Sequence, residues 1–246
     1  MKSFFINEQN VAGYADDIAA WIKEKIDQAH CNGVVLGMSG GVDCSVVARL
    51  CQLVRVDTYL VLMPYGDDMK NTKSEEHSMI LIEKFNFPYH IFDVKPAVDA
   101  LTIRSDVARH VATANIRPRV RMTYLYQFAQ LNGRLVIGTS NLSERTVGYF
   151  TKWGDGVCDL NPLAMLTKQE VYTLARYLEV PECIIEKKPS AGLWDGQTDE
   201  DELGLTYAQI DAYILDNTSG SPETDRKIEE RIAASAHKHA PIPFYL

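Results

Sequence analysis

The chain has 246 residues, with 25 Lys+Arg against 33 Asp+Glu for a formal net charge of −8, and is 46% hydrophobic and 24% charged. That composition is globular, too apolar for a disordered chain, and the length suits one large α/β domain. The acidic balance excludes a protein whose main work is coating nucleic acid, but not one that holds an anion in a local basic pocket. Five cysteines (Cys31, Cys44, Cys51, Cys158, Cys183), odd in number and without a CxxC pair, read as reduced thiols in a cytoplasmic protein. The sequons at Asn141 and Asn217 are then chance matches. No stretch approaches the ~20 apolar residues of a membrane span, and the N-terminus, MKSFFINEQN, turns polar too early for a signal peptide.

Val11, Ala15, Ile18, Ile22, Ile26 and Ala29 lie at strides of three and four, one face of an amphipathic helix. Residues 33–39, GVVLGMS, form a short Val-rich run that reads as a buried strand, broken at Gly40-Gly41. Val46, Val47, Leu50, Cys51 and Val54 then restart a helical period. The succession recurs as a strand over 57–63, a polar helix over 72–85, a strand over 89–94, a helix through Leu131 and a strand over 134–139. Further on, Thr167 with Glu170 marks a capping-box helix start, and Pro181 stops that helix. Residues 188–203 are loop-like, and helices follow over 206–217 and 222–234, the second opened by Ser221 and Pro222.

Continuous apolar strands separated by helices are the pattern of a doubly wound, mostly parallel sheet covered on both faces. Ligands in such α/β folds bind beyond the carboxyl ends of the strands. Function is therefore expected after Ser39, Met63, Val94 and Thr139. No internal repeat or linker divides the chain. The expected plan is a nucleotide-binding core over 33–187, a mobile loop over 188–203, and C-terminal helices and tail over 204–246.

The segment SGGVDCS, Ser39–Ser45, lies where the first strand passes into a helix. Adjacent glycines let the backbone curl with N–H groups inward, and the helix adds its own free N–H groups, a cradle for phosphate oxygens. A structural turn with Ser39 as cap and Asp43 at the helix N-terminus would use the same residues. The position after an apolar strand favours phosphate, with Asp43 able to hold Mg²⁺ against it. The loop is neither GxxxxGK[ST] nor GxGxxG.

Ser39-Gly40-Gly41-Val42-Asp43 resembles the SGGxDS loop of the N-type ATP pyrophosphatases. Three further stretches, NIRPRVRM (115–122), GTSNLSERTVGYFTKWGD (138–155) and PSAGLWDGQTDEDE (189–202), resemble the signature segments of NAD synthetase within that superfamily. The resemblance implies an adenine nucleotide alpha hydrolase-like, Rossmann-like fold. It also implies amidation of deamido-NAD to NAD through an acyl-adenylate, releasing AMP and pyrophosphate. Position by position, it implies ATP contacts from Gly37, Met38, Ser39, Gly40, Gly41, Val42, Asp43, Cys44, Thr139, Lys168 and Ser190. Deamido-NAD contacts fall to Arg119, Lys152, Asp159, His237 and Lys238. Mg²⁺ would sit on Asp43 and Glu144, and catalysis would rest on Asp43, Glu144 and Lys168. A homodimer is implied as well. Glutamine-using members carry a large additional amidase domain for which this length leaves no room, so free ammonia is the expected donor.

The residues have plainer readings beside these. Pro118 is expected to begin a helix with Arg119 and Arg121 in its first turn, where cations oppose the helix dipole. Three Arg at alternate positions suit a polyanion, although a solvated basic face would carry them too. Glu144 could be a surface acid, and His237-Lys238 a solvated tail. Tyr149, Phe150 and Trp153 read as core aromatics, one of which could stack on the pyridine ring. Residues 65–71 and 190–201 are candidate lids. Cys44 stands where the family loop has Ser, and a thiol is the weaker donor, so weaker ATP affinity is expected. The alternatives are a tRNA thiolase-like pyrophosphatase, which would want a cysteine pair and a basic surface, and a degenerate nucleotide-binding sensor, for which Cys44 is the support.

Overall fold

The computed structural model describes residues 5–66, 73–102, 110–192 and 196–245. Four strands, β1 (Gly33–Gly37), β2 (Thr58–Leu62), β3 (Tyr89–Ile91) and β4 (Arg134–Ile137), form one parallel sheet in the order β3-β2-β1-β4. Beyond β4, Ile137 makes a further parallel bridge to Leu160. The chain leaves β1 toward β2 on one side and returns to β4 on the other. The topological switch point, where a doubly wound sheet opens a crevice, therefore lies between the carboxyl ends of β1 and β4.

Side chains alternate across these strands. Val34, Leu36, Leu60, Leu62 and Ile137 face one core, which they share with α1 (Val11–Gln28), α2 (Val42–Leu53), α3 (Lys73–Phe85) and α8 (Lys168–Tyr177). Val35, Val61 and Val136 face a second core with α4 (Lys95–Leu101) and α6 (Ile116–Asn132), the latter preceded by the short α5 (His110–Ala114). Both faces are covered, which is why the strands read as unbroken apolar runs. A third cluster, of Val147, Leu203, Leu205, Tyr207, Ile210 and Ile228, ties α11 (Tyr207–Asp216) to α12 (Pro222–His239).

Some boundaries differ from expectation for local reasons. Strand β3 ends at Ile91, although Phe92 N and Val94 N still donate to Leu62 O and Pro64 O at 2.9 Å each. Helix α6 begins at Ile116, so Pro118 is its third residue, a place where a missing N–H breaks no intrahelical bond. Arg119 and Arg121 thus follow the opening residues. Within 188–203, Thr198 caps a short helix, α10 (Asp199–Leu203). Helix α12 runs five residues past Ala234 to His239, with His237, Lys238 and His239 in its last turn, where positive charge suits the dipole, and Pro241 just beyond. The expected tail at His237-Lys238 is therefore helix. No helix among the described residues is long and apolar enough to cross a membrane.

Candidate active site

The loop after β1 is shaped by two contacts. Gly40 has φ +71°, and a Cβ there would stand 2.1 Å from Ser74 O in α3, so only glycine fits. Gly41 is extended and forms the N-cap of α2, whose first-turn N–H groups have no intrahelical acceptor and are available to an anion. Cys44 is buried, its Sγ donating to Gly41 O (3.1 Å) and lying 3.4 Å from both Met38 Sδ and Ser39 Oγ. Ser45 Oγ also donates to Gly41 O, at 2.8 Å. Both side chains thus face the helix's own backbone.

Across the switch point, the segment after β4 brings in Thr139, Ser140 and Asn141. Asn141 caps α7 (Leu142–Thr146) in a capping box: its Oδ1 accepts from Glu144 N (2.9 Å) and its own N donates to Glu144 Oε2 (3.3 Å). Its amide also donates to Asp43 Oδ1 at 2.9 Å, joining the α7 cap to the loop. Between the two carboxylates stands Lys168, 2% exposed, whose Nζ donates to Asp43 Oδ2 (2.6 Å) and Glu144 Oε1 (3.2 Å). Burial opposes the lysine's charge, yet Asp43 and Glu144 hold its pKa above the ordinary range. Burial pushes the Glu144 carboxyl up, with Lys168 acting against it and Asp43 and Asp199 adding to it.

Helix ends fix this triad. Thr167 and Glu170 form the expected capping box of α8. Asp211, buried in α11, accepts from Gln169 N (2.9 Å) and from Ser143 Oγ, and that hydroxyl accepts from Lys168 N (2.9 Å). One carboxylate thereby pins the starts of both α7 and α8. Tyr207 OH donates to Asp199 Oδ2 (2.8 Å) and lies 3.4 Å from Glu144 Oε1. Asp199 is 5% exposed.

A second group gathers where the 147–157 loop meets α6 and α12. Gly154 packs on the Pro118–Arg119 backbone and Gly148 on Ser235. Arg119, exposed, points Nε at Lys152 O (3.3 Å) and Nη1 at Asn115 O (3.4 Å). Lys152 Nζ donates to His237 O (2.7 Å), and Lys238 Nζ to Gly148 O (2.6 Å) and Phe150 O (2.8 Å). Trp153 is 56% exposed with φ +65°, so of the three aromatics it is not core, whereas Tyr149 OH is engaged by Glu202 (2.8 Å).

The other expected residues stand apart. Asp159 accepts from Val136 N (2.7 Å) and Tyr126 OH (3.2 Å), holding the end of the sheet. Gly37 closes β1 against Leu125 and Met63, and Ser190 is exposed, its Oγ accepting from Gly192 N. Arg121 is half-buried, with Nε donating to Met63 O (3.1 Å) beyond β2. Burial lowers its pKa to about 10, with Arg117 adding to the shift. Of the two expected lids, residues 67–71 and 193–195 lie outside the described residues.

A divalent cation can be judged against these donors. Asp43 and Glu144 each turn one oxygen toward a single point, the one Lys168 Nζ occupies. Among the described residues, no three or more His, Cys, Asp or Glu side chains form a metal cage. Two carboxylate oxygens meeting at one point are hard donors of the kind that fit Mg²⁺, which takes one or two carboxylates and completes its shell with phosphate and water.

Residues 14–241 match the family model described as NAD synthase. The NH(3)-dependent NAD(+) synthetase of Finegoldia magna is 42% identical over 232 residues, 93% of this chain and 94% of the relative. Among solved structures, the NMN synthetase of Francisella tularensis superposes with a TM-score of 0.89 at 35% identity, covering 96% of this chain and 98% of that one. The NH3-dependent NAD synthetase of Campylobacter jejuni gives 0.81 at 30%, covering 96% and 99%. This likeness over the whole length leaves the thiolase-like and sensor readings without support.

Proposed function

The chain belongs to the NAD synthase family, and on that footing we propose that it is an ammonia-dependent ligase that amidates deamido-NAD at the expense of ATP. The observation that carries this is the convergence of Asp43, Glu144 and Lys168 on the glycine loop at the switch point. A nicotinate carboxylate is a poor acyl donor, since ammonia would have to expel oxide. Attack of its oxygen on the α-phosphorus of ATP forms an acyl-adenylate and releases pyrophosphate. Ammonia then adds to the acyl carbon and AMP departs.

In this scheme the chain positions and neutralises. The N–H groups of Gly41 and the first turn of α2 hold phosphate oxygens, and Ser39, Thr139 and Ser190 border the nucleotide. Asp43 and Glu144 would hold Mg²⁺, which when bound neutralises phosphate charge. Lys168 moves from its carboxylates toward the pyrophosphate. Arg119, Lys152, His237 and Lys238 meet the phosphates of the dinucleotide, and Trp153 offers a face for one of its rings. The division into core, loop and C-terminal helices, a cytoplasmic location and a homodimer belong to the same proposal. Light scattering of the purified protein tests the dimer.

The deciding assay combines ATP, Mg²⁺, ammonium and deamido-NAD and measures NAD⁺ and pyrophosphate. Soluble, folded protein that makes neither would sink the proposal. A second reading, the same chemistry on the mononucleotide to give NMN, is favoured by the likeness to the Francisella enzyme. Nicotinate mononucleotide offered in competition with deamido-NAD separates the two by the ratio of kcat/KM.

A further inference from the structure

Lys187 is a cation at the glycine loop for which the scheme above has no use. It is half-buried just after α9 (Glu182–Ile185), and Nζ donates to Ser74 Oγ at 2.7 Å. It pairs with no carboxylate among the described residues. Burial keeps its pKa below the ordinary lysine range, with the nearby Cys44 sulfur acting the other way. A charge that gives up water without gaining a counter-ion costs stability, so the position calls for another explanation.

Its surroundings supply one. The Ser74 carbonyl is the atom against which Gly40 is packed, so Lys187, Ser74 and Gly40 form one line of contacts onto the α3 flank of the cradle. Beside them His77, 9% exposed, has a buried Nδ1 with no hydrogen-bond partner among the described residues and lies close enough to Lys187 for the two to repel. The charge balance points the same way. Until a metal relieves it, Lys168 faces two carboxylates, and the triad alone has no positive charge to spare for a triphosphate. Lys187 does.

We propose that Lys187 is a phosphate-binding residue: one N–H stays on Ser74 Oγ while another donates to a terminal phosphate oxygen of ATP in the loop, and remains with the pyrophosphate as it leaves. An ammonium has three donors, so both bonds form at once. The proposal rests on the reading of the loop as the ATP site and assigns its second cation.

The test is pyrophosphate affinity, measured by calorimetry with Mg²⁺ and without turnover, together with steady-state kinetics. Lys187→Met should weaken pyrophosphate binding and raise the ATP KM about ten-fold together, the worth of one charge-assisted hydrogen bond. The KM values for dinucleotide and ammonium should stay within about two-fold, well under that single bond. Lys187→Gln keeps a donor for Ser74 but no charge, and should lose nearly as much; Lys187→Arg should recover most of it. Unchanged pyrophosphate affinity in the Met and Gln variants would overturn the proposal. So would an equal loss in Ser74→Ala, which removes the tether and leaves the charge, because Lys187 would then be only a brace for α3. Should the wild type bind pyrophosphate but make no NAD⁺, the amidation reading fails while the Lys187 comparison still decides.

Discussion

Lys168→Met tests the triad where it is most exposed to refutation. The ammonium is 2% exposed and holds two carboxylates that are 18% and 16% exposed, at 2.6 and 3.2 Å. Removing one partner of a buried ion pair costs about 3–5 kcal/mol, because the charge left behind has lost both water and counter-ion. Glu144 lessens that cost: burial has already raised its pKa, and without Lys168 it rises further and the group takes up a proton. The lower end of the range, about 3 kcal/mol, is then expected, a fall in Tm of roughly 6–12 °C for a chain of this size. The pH dependence has a definite sign. A carboxyl whose folded-state pKa exceeds its unfolded value takes up a proton on folding, so its penalty grows as pH rises from the unfolded value through the folded one. Below about pH 8 the group is protonated in both folded forms and the two penalties grow together, so the Tm gap between wild type and variant should widen only above about pH 8. Mg²⁺ supplies the discriminating arm. In the wild type the metal must displace the ammonium, whereas in the variant it has only to displace a proton from Glu144, so Mg²⁺ should raise the variant's Tm more than the wild type's. Scanning calorimetry in EDTA and in Mg²⁺ measures both. Equal Tm values in EDTA, or a larger Mg²⁺ effect on the wild type, would refute the account of Lys168 as the counter-ion that stands where the metal binds.

Other perturbations read different parts of the site. Cys44→Ser should lower the ATP KM by about three-fold, since a hydroxyl is the stronger donor; an unchanged KM removes any side-chain role at this position. Asp211→Ala strands the Gln169 N–H and the Ser143 hydroxyl, so it should cost about 2–4 kcal/mol in chemical denaturation and lower kcat more than it shifts either KM. Alkylation of the native protein near pH 8 should mark exposed Cys183 first and spare Cys51 and Cys158, whose thiols burial pushes up to about 12 and about 11; peptide mass spectrometry reads the order. Arg119→Ala should raise the dinucleotide KM without changing Tm, whereas Lys238→Ala should change both, because Lys238 also holds the carbonyls of Gly148 and Phe150.

The features legible in the sequence are those whose physics is local. The β1–loop–α2 unit is announced by an apolar run ending in two glycines, and the α8 start by Thr167 with Glu170 three residues on. The cap at Asn141 is equally local, with Glu144 three residues after it. Contacts between distant segments were not legible. Nothing near Arg121 says that Met63, 58 residues earlier, offers it a carbonyl, and nothing near Asp211 points to Ser143 or Gln169. The partners of Asp159, which the resemblance assigns to the dinucleotide, are Val136 N and Tyr126 OH, and both belong to other elements. The family resemblance named the residues of the triad, but not that the lysine stands between the acids.

The cations of this acidic chain differ in what holds them in the free enzyme. Lys168 is fully matched by carboxylates, while Lys152 and Lys238 rest on backbone carbonyls and Arg119 only approaches two of them. A carbonyl carries partial charge and is a weaker partner than phosphate, so these contacts aim the side chains without competing strongly for them. A carboxylate in the same place would hold the cation against its substrate. Lys168 escapes that penalty only if another cation relieves Asp43 and Glu144 as the nucleotide arrives. The net charge of −8 and the anionic ligands are therefore compatible: among the described residues the direct ion pairs of the site are confined to Lys168, where a metal ion can take its place, while Asp155 acts on Lys238 without a direct bond.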